Sequence, residues 1–365
     1  MKKNELKQIC AFTCCGIGDF IWATSAIFLI KNYNRNINLT LITFDSYKSI
    51  IDDKLKVDNI LFTSYKYFFH NNKLIRYLYK FCWLIKLYFF LHNFDMLLCL
   101  DNHTLFAKFA KNIYKIKEII GPNTLKFGYN TINTDLRYYT KQIVMPKDGD
   151  RNHCMMRYQH IIRTVFPNYN LSIPIIPNID YLSNQIKERF LTNTNKYKIA
   201  LCTTGTTVKR TFPIDYTIKL FKELKQIKNV SFFIVGNTDK QKKEADFLKI
   251  KFPDMDIKNI CCKTTLLELK ELLKNIDLLI SVDTGIVHLA ATNNIPTISF
   301  YGISLPEQAI PISYKARAFY SNLSCVPCFY NSEINKQVCE KPQCITNIDA
   351  KLIVAEVKKI LEKNK

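Results

Sequence analysis

The chain has 365 residues, 48% hydrophobic and 23% charged, a globular balance with room for two domains that excludes a disordered or collagen-like chain. With 52 basic and 31 acidic side chains the formal net charge is +21, so anionic partners are expected: nucleic acid, anionic lipid or phosphorylated glycan. No zinc-finger spacing with paired His and no RNP motif accompanies that charge, which favours a phosphate-rich glycolipid at a membrane face over nucleic acid, with solubility from surface Lys as the plain alternative.

Lys2 and Lys3 precede an apolar region from Ile9 to Ile30 that superficially fits a secretory signal. Glu5 and Lys7 flank it, however, and Gly16-Ile17-Gly18-Asp19 divides it. A strand over 8–14, a glycine turn and a helix over 19–31 account for it better. Gly16 and Gly18 are expected to allow a tight turn and close backbone approach. Asp19 stands at the helix start, where its plainest role is an N-cap worth about 1 kcal/mol. Trp22 stands near the place of a third glycine, which argues against a dinucleotide site. Strands over 37–43 and 59–63 follow. The segment 73–92 predicts a long helix, apolar nearly all round, with Arg76, Lys80 and Lys86 inside it. It is either a core helix or an interfacial surface that buries Trp83 and Phe in a bilayer and snorkels its cations. Strands over 95–100 and 117–121 and a helix over 152–165 complete the first half. Pro167, Asn168, Asn170, Pro174, Pro177 and Asn178 mark an interdomain linker.

The alternation then restarts, with a strand over 198–203 and helices over 214–227, 240–250 and 265–275. Another strand is expected over 230–235. Strands alternating with helices predict a parallel, doubly wound α/β sheet in each half. After the strand over 198–203, Thr203, Thr204, Gly205 and Thr207 with Lys209 and Arg210 form a turn able to hold a diphosphate; the alternative is a solvated polar loop. A strand over 277–282 ends in Asp283-Thr284-Gly285, and a helix pattern containing His288 begins at once. The backbone N–H groups of Thr284 and Gly285 would open that helix and suit an anion. The plain alternative is an N-cap Asp283 and a packing His288. A strand over 295–302 follows. Cys325, Cys328, Cys339 and Cys344 have the spacing C-x2-C-x10-C-x4-C, which suits a structural tetrahedral zinc or iron; four reduced thiols in a loop are the alternative. Thirteen Cys, an odd number, point to cytosolic thiols rather than a secreted disulfide framework. A helix over 349–362 closes the chain, and no transmembrane helix is expected.

The run Asp283-Thr284-Gly285-Ile286-Val287-His288-Leu289-Ala290-Ala291, with Ile295-Pro296-Thr297 after it, resembles glycosyltransferase family 9, the ADP-heptose:lipopolysaccharide heptosyltransferases. Gly16-x-Gly18-Asp19 with Thr24, and the hydroxyl-rich turn before Phe212-Pro213, are similar to the family too. The resemblance implies a GT-B architecture, two Rossmann-like domains with a ligand cleft between them. It implies that Asp19 is the general base, with Gly16, Gly18 and Thr24 in the acceptor-side turn. Asp283, Thr284, Gly285 and His288 would line the donor site, with Thr203, Thr204 and Thr207. The family's Lys falls on Arg210 by position and on Lys209 by residue type, so either is the catalytic cation. A family Glu on the donor ribose has Glu244 as its nearest match, and the segment containing Thr264 matches the loop against the adenine.

The resulting expectation is an acceptor-binding domain over 1–175, a donor-binding domain over 176–348 with a Cys-rich loop over 325–344, and a terminal helix over 349–365. The function is inverting transfer of heptose from ADP-heptose to inner-core lipopolysaccharide or a related surface glycan. No Asp-x-Asp motif stands at a strand end, so no catalytic metal is expected. The enzyme would be cytoplasmic, in peripheral contact with the inner membrane. A protein acceptor on the same fold, or a non-catalytic glycan-binding or assembly module, are the other readings.

Overall fold

The computed structural model describes residues 8–51, 55, 57–64, 72–90, 93–101, 104–113, 115–123, 136–145, 153–166, 184–192, 194–205, 207–328, 339 and 341–363. The chain separates into two compact units, Met1–Pro177 and Asn178–Lys365. The expected linker over 167–178 lies outside the described residues.

In the first unit β1 (Gln8–Phe12) leads into α1 (Ile17–Tyr33), β2 (Asn38–Phe44), a 3₁₀ turn at Asp45–Ile50, and β3 (Asn59–Thr63). Then come α2 (Lys73–Phe90), β4 (Met96–Cys99), α3 (Thr104–Asn112), β5 (Glu118–Pro122), β6 (Lys141–Ile143) and α4 (Cys154–Val165). The strands make one parallel sheet in the order β3-β2-β1-β4-β5-β6. β4 and residues 9–12 of β1 are apolar runs with almost no accessible surface, as strands covered on both faces must be. Cys10 of β1 stands opposite Thr40 of β2 and Leu97 of β4. The strand order reverses between β1 and β4, and ligands of open α/β sheets sit at the carboxyl end of such a crevice. Helix α1 is apolar on most sides because it is covered on most sides: Phe20 to Ala26 are all buried. Its partner is α4, with Trp22 edge-on to His153 and Tyr33 against Phe166.

Helix α2 is not the core helix that its composition allowed. Trp83 is buried, while Leu74, Tyr77, Leu78, Phe81 and Ile85 are each 46–69% exposed. Their spacing of three and four residues places them on one face.

The second unit begins with α5 (Asn184–Phe190), β7 (Tyr197–Cys202), α6 (Ile214–Leu224), β8 (Val230–Ile234), α7 (Asp239–Lys251), β9 (Asp256–Asn259) and α8 (Leu266–Lys274). It continues with β10 (Leu278–Val282), α9 (Gly285–Thr292), β11 (Thr297–Tyr301), α10 (Pro306–Ala309), β12 (Ala316–Tyr320), α11 (Gln343–Thr346) and α12 (Ala350–Lys363). Its parallel sheet has the order β12-β11-β10-β7-β8-β9, reversing between β7 and β10, where Ile280 pairs with Leu201. Two helices start on reciprocal capping boxes, Thr238 with Gln241 and Thr265 with Glu268. The core collects Leu201, Leu220, Phe232, Ile280 and Phe300 from the sheet and α6. Ile353, Val354, Val357, Ile360 and Leu361 of α12 join it, each burial contributing about 1.5–3 kcal/mol.

Candidate functional site

In the first unit the chain leaves β1 and turns at the reversal point. The Cys14 N–H donates to Asp101 Oδ2 at 2.5 Å. Tyr47 Oη donates to the Cys15 carbonyl at 2.5 Å, and its ring stacks on Phe20. Gly16 is the N-cap of α1 with φ −63° and ψ 160°, a backbone any residue adopts, so the turn does not depend on glycine's conformational freedom. Gly18 lies inside the first helical turn. The absent side chain at Gly16 has a different effect: a Cβ there would stand 3.7 Å from Asp19 Oδ2, so glycine leaves that side of the carboxylate uncovered.

Asp19 is not the cap; it is the third residue of α1. Its Oδ1 accepts hydrogen bonds from Arg157 Nη2 and Tyr158 Oη, both at 3.2 Å. Arg157 Nη2 also donates to Tyr158 Oη at 2.8 Å. Arg157 and Tyr158 are buried on α4, whereas the Asp19 side chain is 41% exposed. Burial works against the Arg157 cation, but Tyr158 and Asp19 outweigh it and push its pKa up. Burial drives the Tyr158 phenol well above its ordinary range. Thr24 Oγ1 donates to the Ile21 carbonyl at 2.6 Å, inside its own helix. Sequence reasoning missed Arg157, Tyr158 and Asp101. The available signal was a cation among Cys154, Met155, Tyr158, Ile161 and Ile162, all on the buried side of α4.

In the second unit the segment after β7 folds back on itself. The Phe212 N–H donates to the Thr203 carbonyl, the Gly205 N–H to Arg210, the Arg210 N–H to Thr207 and the Thr211 N–H to Val208, over 2.7–3.1 Å. Phe212 anchors this loop, its ring edge-on to Tyr216 and Phe300. A Cβ at Gly205 would lie 2.7 Å from the Arg210 carbonyl oxygen, so only glycine fits there. The closed loop presents Arg210, whose Nη2 is 3.5 Å from Asp283 Oδ2. Ser304 Oγ donates to the same oxygen at 2.5 Å. Asp283 is buried, and Thr284 caps α9 in an extended conformation without a side-chain capping bond. His288 is buried within α9.

A further residue missed in the sequence links the neighbouring turns. Gln241 Nε2 donates to the Thr204 carbonyl at 3.2 Å, and its Oε1 accepts from the Asn237 and Thr238 N–H groups. The Cys262 N–H donates to the Gly236 carbonyl, which fixes the segment before Thr264. Thr203, Thr204, Thr207, Arg210, Thr264, Asp283 and Thr284 therefore all sit in segments that follow the carboxyl ends of strands, and Gly285 opens α9. Glu244 instead stands on α7 beside Lys240, 3.8 Å away.

The Cys-rich segment adjoins these turns. A Cβ at Gly302, just past β11, would overlap Cys344 Sγ. Burial first, then the other three cysteines of the motif, push the Cys344 thiol up to about 12. Burial also raises Cys328, against the pull of the Lys209 cation, which places Lys209 beside this segment. Among the described residues no three His, Cys, Asp or Glu side chains are placed to hold one metal ion.

Residues 124–339, more than half of the chain, match glycosyltransferase family 9 (heptosyltransferase). The chain belongs to glycosyltransferase family 9. This family member is 23% identical over 149 residues to lipooligosaccharide heptosyltransferase 2 of Campylobacter jejuni subsp. jejuni serotype O:6, a match covering 40% of the chain and 45% of that relative. The chain thus spans less than half the length of the curated relative it matches. Its fold is that of the E. coli ADP-heptose lipopolysaccharide heptosyltransferase II, with TM-score 0.74 at 14% identity over 98% of this chain and 99% of that one. A family 9 glycosyltransferase from Veillonella parvula gives TM-score 0.72 at 12% identity, over 100% of this chain and 99% of that one. The two six-stranded parallel sheets with their helices are the α/β, GT-B fold class expected from the sequence.

Proposed function

We propose that this glycosyltransferase family 9 protein is an inverting heptosyltransferase, with ADP-heptose as donor and inner-core lipopolysaccharide or a related surface glycan as acceptor. The observation that carries the reading is the closed loop 203–212, which brings Arg210 to Asp283 beside the start of α9. Backbone N–H groups at a helix start and a guanidinium fork together suit a diphosphate. Asp283 and Ser304 hold the carboxylate end of that arrangement. Arg210 stabilises the charge that develops as the nucleotide diphosphate leaves. Asp19 takes the proton of the acceptor hydroxyl that attacks the anomeric carbon. Family membership and the ADP-heptose named for the E. coli structure of like fold support the donor. The test is turnover of ADP-heptose on heptose-deficient lipopolysaccharide. Transfer would support the reading, and donor binding without transfer to any glycan would return it to a binding module.

Membrane contact is proposed on a separate observation. The exposed face of α2 carries Leu74, Tyr77, Leu78, Phe81 and Ile85. Between Asp58 and Asp95 the sequence has Lys66, Lys73, Arg76, Lys80 and Lys86 and no acidic residue. An apolar face in a basic segment suits the surface of an anionic bilayer. No helix among the described residues is long and apolar enough to cross a membrane, so the proposed contact is peripheral. For Cys325, Cys328, Cys339 and Cys344 we propose a structural zinc or iron on the strength of the donor set. The described positions do not form a coordination shell, and no catalytic step is assigned to a metal.

A further inference from the structure

We propose that Arg157 and Tyr158 are positioning residues that fix Asp19 so that Oδ2 alone is offered to the acceptor; this rests on the reading of Asp19 as the base. A carboxylate on the first turn of a helix, 41% exposed, would ordinarily sample several rotamers. Here Oδ1 is engaged by two donors from α4, the Arg157 guanidinium and the Tyr158 hydroxyl, each at 3.2 Å. Those donors are themselves joined at 2.8 Å and are 8% and 1% exposed, so neither can drift. Among the described residues Oδ2 has no such partner. It faces the space that Gly16 leaves uncovered, where a Cβ would come to 3.7 Å. The pair and the glycine thus act on opposite oxygens of one carboxylate.

A buried guanidinium is an expensive way to stabilise a helix pair, since apolar residues of similar volume commonly do as well. Its position is better explained by what it holds. In the reaction, the hydroxyl oxygen of the acceptor forms its bond to the anomeric carbon, the bond to the diphosphate breaks, and the hydroxyl proton passes to Oδ2. Oδ1 keeps its two hydrogen bonds throughout. A fixed carboxylate orients that proton transfer without reorganisation, and misplacement of a reacting group by about 1 Å can cost on the order of a hundredfold.

The experiment uses the full chain with ADP-heptose and heptose-deficient lipopolysaccharide. Tyr158→Phe removes one donor and keeps the shape; Arg157→Lys keeps the charge and removes the fork. Each is expected to lower kcat by about ten- to a hundredfold with little change in either KM. In an Asp19→Asn background neither should lower turnover further, because groups that act as a unit are non-additive. Denaturant unfolding of the unsubstituted chain, the three single variants and the two double variants checks that they fold. Loss that appears equally in the Asp19→Asn background, or that follows a drop in stability, would make the pair merely structural. Full activity of both variants beside an inactive Asp19→Asn would overturn the positioning role and leave the base intact. An active Asp19→Asn would remove the base itself, a different failure from that of the pair.

Discussion

Of the two adjacent cations in the loop after β7, Arg210 is the one drawn to Asp283, while Lys209 lies towards Cys328. That division gives Arg210 the stronger claim to the diphosphate. Arg210→Ala is expected to weaken ADP binding by roughly ten- to a hundredfold, the scale of a lost charge-assisted hydrogen bond, with Lys209→Ala the milder change. Calorimetry with ADP separates them, and the reverse ranking would move the role to Lys209. Asp19→Asn should keep ADP affinity while turnover falls by about two to four orders of magnitude. Asp19 and Asp283 were legible because each sits in a short local motif at a strand end. Arg157 was not, because it meets Asp19 across 138 positions of sequence, and only the packing of α4 on α1 brings the two together. Glu244 presents the opposite case. Local spacing suggested it, but its side chain stands by Lys240.

The elements followed their burial. Interior strands such as β4 and β10 are runs of apolar residues and were legible as such. The strands missed, β6, β9 and β12, are all sheet edges. An edge strand has one neighbour and one wet side, so Asp256-Ile257-Lys258-Asn259 carries no apolar run to read. The loop 203–212 behaves as an element in its own right. Gly205→Ala would force Arg210 away from the turn, so donor affinity should fall while the melting temperature changes little. Unchanged ADP binding in that variant would mean the loop does not hold the donor. For α2, Leu78→Glu with Phe81→Glu should abolish binding to anionic vesicles and spare turnover on a soluble acceptor fragment. Both side chains are already exposed, so the fold has little to lose. Vesicle binding that survives the double change would place the membrane contact elsewhere.

Across the whole molecule, buried thiols set an alkaline limit on stability. Burial pushes Cys202 up to about 11 and Cys261 up to about 12, and raises Cys10, Cys14 and Cys99 as well. The folded chain therefore holds thiol protons that the unfolded chain releases. Their contribution is complete below the ordinary thiol value of 9.0 and is lost as pH rises through the folded values. The melting temperature should fall steadily from pH 9 upward, and a flat profile to pH 11 would show these thiols to be unburied. The net charge of +21 was legible from the sequence; the exposed apolar face of α2 was not, because that depends on which side of the helix the fold leaves open. The placement of α12 affects how the protein is made. Tyr216 Oη donates to the Ile348 carbonyl, and the apolar side of α12 fills the core beneath β7 and β10. Among the described residues the first unit has its strands and helices by residue 165 and can close while synthesis continues. The second cannot complete its core until residues up to about 361 have left the ribosome. Until then the nascent chain displays the apolar surfaces of α6 and β10 without their cover, so a chain shortened before α12 would expose them permanently.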